Sequence, residues 1–423
     1  MAEIPTTVHW RMPWLGWAAI VLVVLASAFL LWLLSDRDLI AADARARSLG
    51  IAPTWAELGL KASPAPRLDE WRRLGQLATA MVSYQQATEW RPTAGSTVPD
   101  ELVQHHRRLP VTEIETLLAL CDGLDQDGLV TRTSATWDTP LPEITWMRGL
   151  CRLFAERIML APPESVVAES RRLLAVIAGQ RANTLIQRLV SISCLAIWQQ
   201  AVAGRLHDVG VDRAALASQA DVARTWLAGH MAYAIDDDLR IWREAAGAVH
   251  RGDAKATREI EAALDLGELR GFGIARVVMR AGRGILLELF TDLASAWRAS
   301  PTYRSRQSAI AAIDLRLRSG WSPSSVIVGL AIPASGLIND SWLKCDTGLA
   351  VLAAELRHLP WPIDPSDPAG GQVRRIERSG RLIGYYLLGS NQADDGGRIK
   401  SDFCQALYER LGGPLAADPP TAP

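Results

Sequence analysis

Residues 14–34 carry no charged side chain over 21 positions and are almost entirely apolar. At a rise of about 1.5 Å per residue such a helix spans roughly 31 Å, the thickness of a bilayer's hydrocarbon core. Trp10, Trp14 and Trp17 stand near one end and Trp32 near the other, where indole rings bury their faces and keep the N–H among headgroups. The pattern therefore predicts a transmembrane anchor at 14–34. A cleaved leader is the alternative, because Ala26-Ser27-Ala28 has the small-x-small form, but the apolar run continues through Phe29 to Leu34.

Beyond the anchor the apolar positions recur at helical intervals. Trp71, Leu74, Ala78 and Met81 repeat at steps of three and four, as do Met147, Leu150, Phe154 and Ile158. Thr54 with Glu57, and Thr112 with Glu115, have the spacing of a capping box and mark expected helix starts. Residues 185–198 are apolar nearly all round, which predicts a central core helix, the uninterrupted part being short for a second span. Pro162-Pro163, Gly179, Gly204, Gly210, Gly252 and Pro301 separate further helical segments. The expectation is a helical bundle or an irregular α-solenoid, with no repeat of fixed length.

Near Trp361 the pattern changes period. Cys345, Leu349, Leu352 and Leu356 close a last long helical stripe, and Asp364-Pro365, Asp367-Pro368 and Gly370-Gly371 then break it. Residues 372–378 and 381–388 flank a two-residue Ser379-Gly380 break, the arrangement of a β-hairpin. A short helix is expected over 402–411. The fold class is thus mainly α, with one N-terminal transmembrane helix and a small C-terminal β-hairpin. The predicted layout is an N-terminal tail 1–13, anchor 14–34, helical domain 35–300, connecting helices 301–360, hairpin and last helix 361–411, and a flexible tail 412–423.

Composition narrows the partners more than the fold. Lys plus Arg at 45 against Asp plus Glu at 46 gives a net charge of −1, which removes the electrostatic case for nucleic-acid binding by the chain as a whole. Only Lys61, Lys255, Lys344 and Lys400 are lysines, so the basic residues are overwhelmingly arginine. The five cysteines are widely spaced, without a C-x-x-C pair, and read as small buried hydrophobes.

The C-terminal residues carry a resemblance. A helix, an Asp-Pro turn, a hairpin containing Tyr385-Tyr386-Leu387-Leu388-Gly389 and the loop Asp394-Asp395-Gly396-Gly397 resemble the tail of type II secretion major pseudopilins. The order of anchor, long helical domain and such a tail is similar to that of single-pass membrane proteins of planctomycete-type bacteria. The resemblance implies a bacterial inner-membrane protein with its bulk more on the periplasmic side than the cytoplasmic. It also makes Asn391, Asp394 and Asp395 the oxygen ligands of a calcium loop, for which a solvated turn is the alternative. The apolar run 14–34 lacks the acidic residue that pseudopilins carry near the start of theirs.

Other polar clusters read as structure. Asp122 to Gly128 fails as an EF-hand, because Gly123 falls at the first ligand position and Ser134 where a glutamate belongs. Asp236-Asp237-Asp238 is expected at a helix N-terminus, where negative charge is favoured. His105-His106 and His207-Asp208 are expected on the solvated surface, and no nucleophile elbow, Walker loop or zinc-ligand spacing is present. The expected function is non-enzymatic: a membrane-anchored helical protein, held by the lipid bilayer through 14–34, that binds or scaffolds a cell-envelope protein partner. Two alternatives stay open, an accessory of a type II secretion or pilus-like machine and an envelope hydrolase.

Overall fold

The computed structural model describes residues 37–88, 90, 98–124, 129–134, 141, 143–179, 181, 184–255, 258, 274–300, 302–319, 324–378, 381–388 and 403–406. The predicted anchor at 14–34 and the acidic loop with Asn391, Asp394 and Asp395 lie outside these residues. What is described is mainly helical with one small antiparallel sheet.

The N-terminal half consists of short and medium helices: α1 (Arg37–Ser48), α2 (Trp55–Leu58), α3 (Ala65–Ala80), α4 (Tyr84–Thr88), α5 (Asp100–Arg107), α6 (Val111–Asp122), α7 (Glu143–Leu160), α8 (Val166–Ala178) and α9 (Leu185–Ala203). Both sequence stripes turn inward, with Trp71, Leu74, Ala78, Met81, Met147, Leu150, Phe154 and Ile158 all buried. Thr54 caps α2 as its spacing predicts, its Oγ1 accepting the Glu57 N–H at 3.2 Å. Thr112 does not cap α6. Pro110 holds the N-cap position, which places Thr112 inside the first turn.

The C-terminal half is built on long helices: α10 (Arg213–Arg251), α11 (Ile274–Ala299), α12 (Tyr303–Ser319) and α13 (Ser324–Arg357). α10 packs along both α11 and α13, and α13 also meets α9 and α12. Helix α9 is long and apolar enough to cross a membrane by length and composition alone. Its Cys194, Leu195, Trp198, Ala201, Val202 and Ala203 are nonetheless at most 1% exposed, as a core helix requires. One contiguous cluster of buried apolar residues runs from Ala42 on α1 to Leu387 in the sheet.

The sheet has the order β1 (Arg374–Arg378), β2 (Arg381–Leu387), β3 (Phe403–Ala406), each pair antiparallel. The hairpin falls where the alternation predicts it, with a register irregularity between Ile376 and Glu377. The helix expected over 402–411 is not formed at Phe403–Ala406. Those four residues pair with Gly384 to Leu387 instead, satisfying backbone groups that β2 would otherwise leave open on that edge. The Asp-Pro turn anchors the sheet through buried Asp364, whose carboxylate accepts the N–H groups of Ser366 and Leu388 at 2.8 and 2.9 Å and Arg374 Nη1 at 3.2 Å.

Candidate functional site

A cleft of about 670 Å³ opens between α3 and α7, a volume typical of small-molecule sites. Trp71, Arg72, Gly75, Gln76 and Thr79 line it from α3, Glu143 and Trp146 from α7, and Thr131 and Arg132 from the segment between. The helical periods put these groups together. Trp71, Gly75 and Thr79 lie one turn apart on one face of α3, and Glu143 and Trp146 share a face at the start of α7.

Two indoles form the apolar wall. Trp71 and Trp146 meet edge to face with centroids 5.0 Å apart, a favourable arrangement of their quadrupoles. Gly75 makes this possible, since a Cβ there would come within 2.9 Å of Trp146 Nε1. A polar floor is supplied by Glu143, only 4% exposed. Its carboxylate accepts Arg132 Nη1 at 2.5 Å and Nη2 at 3.0 Å, and Gln187 Nε2 from α9 at 2.5 Å. This two-point guanidinium pair with a third donor locks the carboxylate in one orientation. Arg72, with its side chain 68% exposed, stands at the rim beside Asp69.

The residues singled out from the sequence are scattered rather than convergent. His106 is not a solvated histidine: its Nε2 lies 2.8 Å from Oε2 of fully buried Glu156, whose Oε1 accepts the Gln85 N–H at 2.7 Å. His105 Nε2 donates to the carbonyl of Val82 at 2.8 Å. His207 is exposed in the turn after α9, as expected. Asp122 ends α6 and pairs with Arg172 at 2.7 Å. Cys121, Cys151, Cys194 and Cys345 are buried free thiols. Burial pushes the Cys121 and Cys345 thiols well above the ordinary range and holds Cys151 in its neutral form as well.

Asp236, Asp237 and Asp238 do not stand at the N-terminus of their own helix. They fall in the interior of α10, where the chain packs so closely that the charges must be matched individually. Asp236 binds Arg298, and Asp237 accepts both Arg240 and Arg181, the latter at 3.2 Å. Asp238 accepts the Leu185 N–H at 3.0 Å, so it does serve a helix start, that of α9. Burial raises the Asp237 and Asp238 carboxyls to about 7.

Among the described residues no group of three or more His, Cys, Asp and Glu side chains is arranged to hold a metal ion. The sequence reading missed Glu143, Arg132 and Trp146 as site residues. The available signal was Trp146 one residue before Met147 in a recognised stripe, but the pairing to Gln187 spans 44 positions and has no local signature. Comparison with family models, with curated proteins and with solved structures returns no match to this chain.

Proposed function

We propose that this is a non-enzymatic, membrane-tethered binding or scaffold protein of the bacterial cell envelope, with the α3–α7 cleft as its docking site. The observation that carries the reading is the chemistry of the cleft: two edge-to-face indoles, a rim arginine, and a floor carboxylate already held by three donors. Rigid aromatic surface with satisfied polar groups favours holding a ligand, because little side-chain freedom is lost on contact. The apolar run at 14–34 supplies the tether, and the pseudopilin-like order of the C-terminal residues favours the envelope.

A photo-crosslinking residue at Gln76 or Thr79, in the full-length chain in cells, tests the reading against the same residue at Val209, which is 93% exposed and outside the cleft lining. Discrete adducts are expected at the cleft positions, in the fraction that resists alkaline carbonate, and they should weaken when Arg72→Glu reverses the rim charge. Equal labelling at Val209, or release of the chain by carbonate, overturns it.

A further inference from the structure

The first turn of α9 holds a buried guanidinium without a hydrogen-bond partner. Arg188 is 1% exposed, and its Nε, Nη1 and Nη2 have no hydrogen-bond partner. Its Cζ lies 4.6 Å from the ring centroid of Trp226 on α10, and that indole's own Nε1–H is buried without an acceptor. Arg181 Nη1 is a further unmatched buried donor nearby. A buried cation without an anionic partner is strongly unfavourable, and each unpaired donor adds to the cost.

The surrounding carboxylates do not resolve this. Asp237 is the one whose charge supports Arg188, yet it is already hydrogen-bonded to Arg181 and Arg240. Asp236 is held by Arg298 through Oδ2, its Oδ1 staying buried without a partner, and Asp238 by the α9 backbone. The amino end of α9 adds partial positive charge where Arg188 sits, and Arg181 adds a whole one. Burial lowers the Arg188 guanidinium to about 9, so it is still a cation at neutral pH. Four guanidiniums, Arg181, Arg188, Arg240 and Arg298, thus stand against three aspartates.

We propose that this region is an internal anion site, in which a small free oxyanion, a phosphate or a carboxylate, seats against Arg188 with Trp226 Nε1–H and Arg181 Nη1–H as further donors. A neighbouring apolar cavity bordered by Trp226, Leu174, Ile177, Leu195 and Val222 measures about 30 Å³, far too small for a lipid headgroup with its chains. An aromatic stripe follows one face of α10. Trp226 and His230 stack at 5.1 Å, His230 meets Tyr233 at 6.0 Å, and Arg181 lies over the Tyr233 ring at 5.8 Å. Tyr233 is 51% exposed, so the stripe runs from the surface inward to Arg188.

Thermal unfolding of the full-length chain in maltoside micelles tests this, with inorganic phosphate, acetate and chloride titrated separately and ionic strength held by a bulky organic sulfonate. Phosphate or acetate should raise Tm along a saturating curve, while chloride should not. Arg188→Met should abolish the response and melt no lower than wild type without added anion, because an apolar side chain then replaces an unpaired charge. Trp226→Phe, which keeps a ring and removes the donor, should weaken the apparent affinity by about 3- to 10-fold, and this variant decides the matter should Arg188→Met fail to fold. No saturating response, a response to chloride alone, an unaltered response in Arg188→Met, or an unchanged affinity in Trp226→Phe overturns the proposal.

Discussion

Asp238 carries a pH dependence that its hydrogen bond alone would not suggest. Its carboxyl accepts a single backbone N–H, and desolvation outweighs that bond and lifts it from an ordinary 3.8 to about 7. With the folded value above the unfolded one, the native state binds the extra proton between about pH 4 and 7. The contribution to stability is fully present below pH 4 and is lost as pH rises through 7. Asp237 adds to the same slope, its two arginines only partly offsetting burial. Asp238→Asn keeps an oxygen for the Leu185 N–H and has no proton to lose. Its Tm should exceed wild type by about 2–5 °C at pH 8, and the two curves should converge towards pH 4. Melting curves that stay parallel from pH 4 to 8 would show that Asp238 keeps an ordinary acidity.

At the scale of elements, the sheet is fastened to the helices at one crowded point. Gly348 on α13 faces Tyr385 on β2 and Gln199 on α9, and a Cβ at Gly348 would overlap the Tyr385 hydroxyl and lie within 2.6–2.7 Å of the Gln199 amide. Tyr385 is 1% exposed and accepts Gln199 Nε2 at 3.4 Å. Gly348→Ala should therefore cost about 1–3 kcal/mol through overpacking, despite alanine's better helix propensity. Urea unfolding gives the number, and a neutral or stabilising substitution would mean that Tyr385 is not seated there. The stripe on α13 that leads to this point, Cys345 to Leu356, was legible because its apolar residues fall on a single period. α10 was not, because it is covered by α9, α11 and α13 and carries charged residues where a one-sided helix would be apolar. Its aspartates read as a helix start since nothing local reveals Arg298 of α11 or Arg181 of the loop before α9, which pair with Asp236 and Asp237. Phe403–Ala406 was misread for a related reason: four residues have weak preferences, and the open edge of β2 decided their state. The cleft was half legible, through Trp71 on a clean stripe, while Arg132 and Gln187 reach Glu143 from elsewhere in the chain.

Across the whole molecule, long-range ion pairs follow the same lines as the apolar core. Arg243 on α10 binds Asp43 on α1 at 2.7–2.8 Å, Arg45 on α1 reaches Asp292 on α11, and Arg224 on α10 meets Asp346 on α13 at 3.0 Å. The exposed members of such pairs contribute little individually. Their placement matters because each crosses between elements that also share buried side chains. The sheet belongs to this unit, since Trp361, Val373, Tyr385 and Leu387 are part of the cluster that begins at Ala42. Opening the sheet would bare Leu387 and strip Gln199 of its contact with Tyr385, so its loss should be felt in the helices. A core shared in this way predicts one calorimetric transition for residues 37–406 rather than separate transitions for helices and sheet. Truncation after Arg357 should lower that transition and broaden it, because the apolar surface of α9 and α13 under the sheet would face water. A truncated chain that melts at the wild-type temperature, or a full-length chain with two resolved transitions, would show that the sheet folds on its own.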